Sequence, residues 1–188
     1  NAASELRYPV TFSGGSREVC LSGEAYFEVA TDSARPFVVK AGAARVRAYG
    51  TEFNVNAYPG TGTQAVLVEG SVGMSGVESP EERMLCPSQL AVYDGRGELQ
   101  EVRDVEVFPY IAWKEGQFVF KDENLERILE VLSRWYDVDV EWRDEAVKAL
   151  HFTGHIRKYD DIEGILNAIN RMVGTRLRVE GQTVVVTR

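Results

Sequence analysis

Two carboxylates four positions apart, Glu24 and Glu28, lie in the stretch LSGEAYFEVA among apolar and aromatic neighbours. Paired carboxylates are the working parts of glycoside hydrolysis. His151 and His155 have the H-x3-H spacing that makes a zinc pair when it falls on a helix. Glu69-Gly70-Ser71-Val72-Gly73 has the composition of a nucleophile elbow, and Gly60-Thr61-Gly62 and Gly95-Arg96-Gly97 that of tight phosphate loops. Trp113, Trp135 and Trp142 are candidates for a sugar platform. Each of these chemistries needs a particular backbone beneath it.

The first half of the chain is made of short alternating runs. Val19/Leu21, Ala25/Phe27/Val29, Phe37/Val39, Val46/Ala48, Phe53/Val55/Ala57, Val66/Val68, Val72/Met74 and Leu90/Val92 recur at period two. Ser13-Gly14-Gly15-Ser16, Ala41-Gly42, Pro59 to Gly62, Ser79-Pro80 and Asp94 to Gly97 separate them as turn signals. Many short strands at this spacing predict an all-β domain.

The second half changes period. Leu125, Ile128, Leu129, Leu132, Trp135 and Tyr136 form one stripe of an amphipathic helix. Asp122 is the expected N-cap, and Glu123/Arg127 and Glu130/Arg134 are expected ion pairs on the wet face. The stripe returns 37 residues on, as Ile162, Ile165, Leu166, Ile169, Met172 and Val173. Here Asp160 and Glu163 read as a capping box and Gly174 as the glycine past the end. Val119 and Ile156 precede the two stripes; Val140/Trp142 and Leu177/Val179 follow them. The expectation is two β-α-β units in tandem and a returning last strand, Thr183–Thr187.

These elements decide the chemistry. In a strand, residues four apart are separated by roughly 13 Å, whereas glycosidase carboxyls flank one bond at about 5–9.5 Å. Glu24, Tyr26 and Glu28 are therefore expected on a solvated outer strand face, with acceptance of turn amides beside Gly23 as a second role for Glu24. A carboxylate on another strand remains open as a partner for either, though nothing singles one out. His151 and His155 fall in a strand, too far apart to share a metal. The Ser71 segment lacks the elbow's spacing and a following helix, and the glycine pairs lack a phosphate-loop lysine. Trp135 and Trp142 belong to inward faces, which leaves Trp113. No catalytic, cofactor or metal residue emerges, and the chain reads as a non-enzyme with no cofactor.

Composition narrows the partners. A net charge of −8 argues against nucleic acid and against an anionic membrane surface. Apolar content of 44% with 27% charged residues argues for a folded domain rather than disorder. No apolar run reaches membrane-span length, and there is no initiator Met or signal h-region, so any anchoring or targeting segment is expected outside these residues. Cys20 and Cys86 read as two isolated thiols in preference to a disulfide.

The chain also resembles a known family. The carrying residues are Tyr8-Pro9, Arg17-x-Val19-x-Leu21-x-Gly23-Glu24-Ala25-Tyr26-Phe27-Glu28-Val29, Pro36-Phe37-x-Val39 and Gly50-Thr51-x-Phe53-Asn54-Val55-x-Ala57-Tyr58. Leu67 to Val72, Leu85-x-Pro87, Ala112-Trp113-x-x-Gly116-x-x-x-Phe120, the first helix stripe and Phe152-Thr153-Gly154 continue the match. Together they resemble the periplasmic region of a FecR-family anti-sigma factor of the Bacteroidetes type. Its C-terminal part is similar to the secretin/TonB short N-terminal domain, a docking module.

The resemblance implies a periplasmic location, with anchoring in the inner membrane through a transmembrane helix outside these residues. It implies partnership with the signalling domain of an outer-membrane TonB-dependent transducer that reports uptake of iron chelates or glycans. A cytoplasmic sigma factor would be reached only through a further N-terminal segment. The family brings no catalytic residues. The fold expected is mainly β plus α+β: an all-β domain of layered antiparallel strands over 1–112, then a βαβ-βαβ docking domain over 113–188. The alternative function is a non-catalytic carbohydrate-binding β module with an aromatic site around Tyr26 and Tyr58.

For the partner, the expected binding residues are Thr183, Val184, Val185, Val186 and Thr187. Three successive valines would leave at least one exposed on a strand with a single buried face, and a terminal strand is expected at a sheet edge, where strand addition occurs. The alternative is that a helix–sheet core simply covers this strand.

Overall fold

The computed structural model describes residues 1–79 and 81–188. Its chain forms two units, Asn1–Ile111 and Ala112–Arg188.

Ten strands make the first unit: β1 (Glu5–Arg7), β2 (Arg17–Val29), β3 (Phe37–Ala41), β4 (Ala44–Ala48) and β5 (Thr51–Ala57), then β6 (Thr63–Glu69), β7 (Val72–Gly76), β8 (Arg83–Leu85), β9 (Gln89–Tyr93) and β10 (Leu99–Asp104). A short helix, α1 (Phe108–Ile111), closes it. All eight alternating runs fall in strands, where residues two apart share a face; in β6 and β9 the core face is Ala65/Leu67 and Ala91/Tyr93, so Val66/Val68 and Leu90/Val92 lie on the opposite one. β1, β8 and β10 are additional. The turn expected at Ser79-Pro80 falls partly on Pro80, outside the described residues.

The strands join in the order β10-β9-β6-β5-β2-β3-β4-β7-β8, with β1 also on β2. β2 holds the arrangement together. Its first part, Arg17 to Leu21, pairs with β3, and its second, Gly23 to Val29, with β5. The sheet therefore curls at Gly23 and its two halves close on one core. Val39, Val46 and Met74 from one half meet Phe53, Val55 and Leu67 from the other, with Phe27 stacked 5.2 Å from Phe53. Gly23 has φ of 101°, and a Cβ there would lie 2.4 Å from Ser4 Oγ, so the bend requires glycine. One expectation is corrected: β2 and β3 run parallel, because residues 30–36 cross back before β3 begins and Arg17 N–H bonds Pro36 C=O at 2.8 Å. The other pairings in this unit are antiparallel.

The second unit runs β11 (Gln117–Asn124), α2 (Leu125–Tyr136), β12 (Asp139–Trp142), β13 (His151–Arg157), α3 (Ile162–Val173), β14 (Arg176–Glu180) and β15 (Thr183–Thr187), with 3-10 turns at Ala112–Glu115 and Glu145–Ala149. The β-α-β order is present, but each β-α-β splits between sheets. β11 pairs antiparallel with β13, while β12, β15 and β14 form a second sheet in that order. Leu125, Ile128, Leu129 and Leu132 of α2 and Ile165, Leu166 and Ile169 of α3 pack with Phe118, Phe152, Ile156, Leu177, Val184 and Val186. Met172 leaves its expected stripe and is 66% exposed.

Both N-caps are displaced from their expected positions. Asn124, not Asp122, caps α2, accepting Arg127 N–H at 2.8 Å. β11 continues past Asp122, which sits in a bulge with φ of 50° and donates its N–H to Thr153 Oγ1. Asp161, not Asp160, caps α3 through Gly164 N–H, because Asp160 closes the preceding turn onto Arg157 C=O. Gly174 ends α3 in the left-handed conformation, as expected. Arg127 pairs with Glu130 at 3.0 Å, three residues on.

Candidate functional site

Glu24 and Glu28 occupy the same strand in unlike surroundings. Glu24 is buried, not solvated. One carboxylate oxygen accepts Asn54 Nδ2 at 2.8 Å, the other accepts Asn1 Nδ2, and its own N–H donates to Ser4 Oγ at 2.8 Å. The expectation of an outer wet face fails here because residues 1–4 and β1 lie along β2 at this point. Glu28 is exposed. Its opposite number in β5 is Glu52, whose Oε2 accepts the Tyr26 hydroxyl at 2.6 Å. Burial first, then that bond to Glu52, pushes the Tyr26 phenol above its ordinary range. Glu24 is thus a fixed acceptor, and Glu28 belongs to a different cluster.

His151 Nδ1 lies 2.7 Å from Asp122 C=O and 3.0 Å from its carboxylate; His155, on the same strand, stands opposite Val119. Among the described residues no group of three His, Cys, Asp or Glu gathers in a metal-binding arrangement. Cys20 and Cys86 are free and exposed. Trp113 is joined to Trp135 by a buried cation: Lys158 Nζ sits 3.5 Å from the Trp135 ring centroid and 5.6 Å from that of Trp113, and donates to Trp113 C=O at 2.9 Å. Trp142 faces Lys148 Nζ at 5.3 Å. The aromatic site considered around Tyr26 and Tyr58 is not an open platform, since Tyr58 is 7% exposed and its hydroxyl donates to Ala2 C=O.

The strand Thr183–Thr187 is not at an edge. β15 lies between β12, parallel to it, and β14, antiparallel to it. Val184, Val185 and Val186 are 1%, 1% and 0% exposed. Val184 and Val186 face the helices. Val185 lies on the other face between Glu141 and Arg178, where Arg143 links Glu141 to Glu180 and Glu180 links on to Arg178. The stems of those long side chains flank the valine while their charges stay wet. Strand addition therefore has no free ladder on β15, and the edges of this sheet are β12 and β14.

Sequence reading passed over one residue at these edges, Asn170. Its only local signal is a polar side chain next to Ile169 in the last turn of an apolar-striped helix. Its two amide atoms both reach Leu177 on β14.

This arrangement has known counterparts. Residues 1–73 match the family model described as FecR protein, and residues 117–186 match that described as FecR, C-terminal. The chain belongs to the FecR family. Two solved structures share its fold, both crystal structures of a protein from Parabacteroides distasonis ATCC 8503 assigned as an anti-sigma factor, at 1.65 and 2.50 Å resolution. Each is 27% identical; the TM-scores are 0.88 and 0.87, covering 100% of this chain and 88% and 87% of the other. No curated protein matches the sequence. Among the described residues no helix is long and apolar enough to cross a membrane.

Proposed function

We propose that this chain is the periplasmic relay part of a membrane-anchored anti-sigma factor. It receives a signal from the signalling domain of an outer-membrane TonB-dependent transducer. A transmembrane helix and a sigma-binding segment beyond residues 1–188 pass that signal to a cytoplasmic sigma factor controlling uptake of an iron chelate or a glycan. The observation that carries the reading is the joining, in order, of both FecR domains in one chain whose full length superposes on proteins assigned as anti-sigma factors. The C-terminal unit is the docking side, and no catalytic step is assigned to the chain.

The test is calorimetric titration of the whole chain with the purified signalling domain of the transducer encoded beside it. Saturable binding of one domain per chain is expected. Absence of binding, with specific capture of a glycan on an array, would overturn the relay in favour of a carbohydrate-binding module.

A further inference from the structure

The sheet β12-β15-β14 has two edges, and they differ. On β14 the outward backbone groups of Leu177 are already occupied: Asn170 Oδ1 accepts its N–H at 2.7 Å, and Asn170 Nδ2 donates to its C=O at 2.9 Å. A side-chain amide stands where a further strand would pair. Among the described residues β12 carries no such clasp. The N–H groups of Asp139 and Arg143 donate inward to the carbonyls of Gln182 and Val186, at 2.9 and 3.0 Å. By the alternation of a parallel ladder, the N–H and C=O of Val140 and Trp142 then point off the sheet.

Beside this open edge, between β12 and α2, lies a cavity of about 220 Å³. Val140 and Trp142 give it apolar walls over the buried Leu129, Glu126 and Glu130 give it negative charge, and Asp139 stands at its rim. Glu126 and Glu130 have half-buried partners in Lys148 and Arg127, but the carboxylates themselves are 52% and 42% exposed, and pairs this open to water are weak. Asp139 has no ion pair among the described residues. A strand added to β12 would turn alternate side chains toward this cavity. A Lys or Arg there lays its methylene stem on Val140 and Trp142 and carries its charge to the carboxylates of Glu126 and Glu130. An acidic segment would be repelled.

We propose that β12 is the docking edge of the C-terminal unit. Its occupant is an extended segment of a partner protein that pairs with Val140 and Trp142 and carries Lys or Arg at alternate positions. This rests on the relay reading above, in which the segment belongs to the transducer's signalling domain.

The experiment titrates the whole isotope-labelled chain with capped peptides and follows its backbone amides by NMR. The probes are an alternating valine–lysine hexapeptide, its valine–glutamate counterpart, and the lysine peptide N-methylated at alternate residues. The lysine peptide is expected to shift Val140 and Trp142. The other two should bind at least about tenfold more weakly, a difference of about 1.4 kcal/mol. Val140→Pro removes an outward N–H without touching the ladder to β15, and should weaken binding about tenfold. The double variant Glu130→Lys, Asp139→Lys, which changes only wet side chains, should do the same and keeps the test open should the proline variant misfold. Shifts confined to other residues, equal binding of the acidic peptide, or unchanged binding by the double variant would overturn the proposal. So would self-association of the chain through β12.

The same double variant, titrated with the transducer's signalling domain, separates this inference from the reading it rests on. Undiminished binding sinks the β12 edge and leaves the relay standing. No binding of the domain to the parent chain, with the lysine peptide seated on β12, sinks the relay and leaves the edge.

Discussion

Glu24 Oε1 accepts a hydrogen bond from Asn54 Nδ2 at 2.8 Å, linking β2 to β5 beneath the residues that open the chain. A carboxylate expected on a solvated strand face is a buried cross-strand tie. Glu24→Ala removes this acceptor from a buried amide and should cost about 1–3 kcal/mol. Glu28→Gln, at an exposed position, should stay within about 0.5 kcal/mol of the parent. Urea midpoints of the two variants check this; equal midpoints would refute the assignment.

The helix stripes give a second prediction. Leu129 and Leu166 are each 1% exposed at equivalent places in α2 and α3. Leu129→Ala and Leu166→Ala should each lose about 2–5 kcal/mol. Met172→Ala, at a position largely in water, should lose less than about 0.5 kcal/mol. Chemical denaturation followed by tryptophan emission distinguishes them, and parent-like stability of both leucine variants would contradict the packing described.

Two glycines should respond with opposite signs. Gly23→Ala places a Cβ against Ser4 at positive φ, and should destabilise by more than about 1 kcal/mol. Gly164, in the first turn of α3, has nothing within 4 Å of an added Cβ, and Gly164→Ala should stabilise by about 0.4–1 kcal/mol. Melting temperatures moving in the same direction would be incompatible with this geometry.

Acid should weaken the fold modestly. Glu18 is held low by its bond to Lys40, Glu141 by its bond to Arg143, and Asp94 by the N–H groups of Glu98 and Arg96. A carboxyl lowered in the folded state stabilises above the ordinary carboxylate range, and that contribution disappears as pH falls through the lowered value. These groups lie on wet surface, so the effect is small. The urea midpoint should be level from about pH 7 to pH 5 and fall toward about pH 3; a midpoint rising on acidification would contradict it.

What could be read from the sequence was whatever repeats locally. Phe53/Val55/Ala57 and the Leu125 stripe announce their elements because burial on one face imposes a period. β1, all three of whose residues are exposed, and β10, largely wet, carry no such period and are found only by their pairing. The place of β15 shows the same limit. Val184-Val185-Val186 reads equally well at an edge or in the middle, and what decides is the return of β14 and the arrival of β12 on either side. Glu24 belongs with these: its burial depends on Asn1, Ser4 and Asn54, none of them legible from LSGEAYFEVA. Asn170 was invisible because its partner Leu177 lies past the helix end.

Strand β2, 13 residues long and shared by both halves of the curled sheet, has a mechanical consequence. Tension along it is borne in shear by the ladder to β3 at one end and the ladder to β5 at the other. Neither half can peel away while β2 keeps both sets of bonds, so partial opening by separating the layers is costly. The N-terminal unit should therefore transmit a pull as a stiff body and yield in one step.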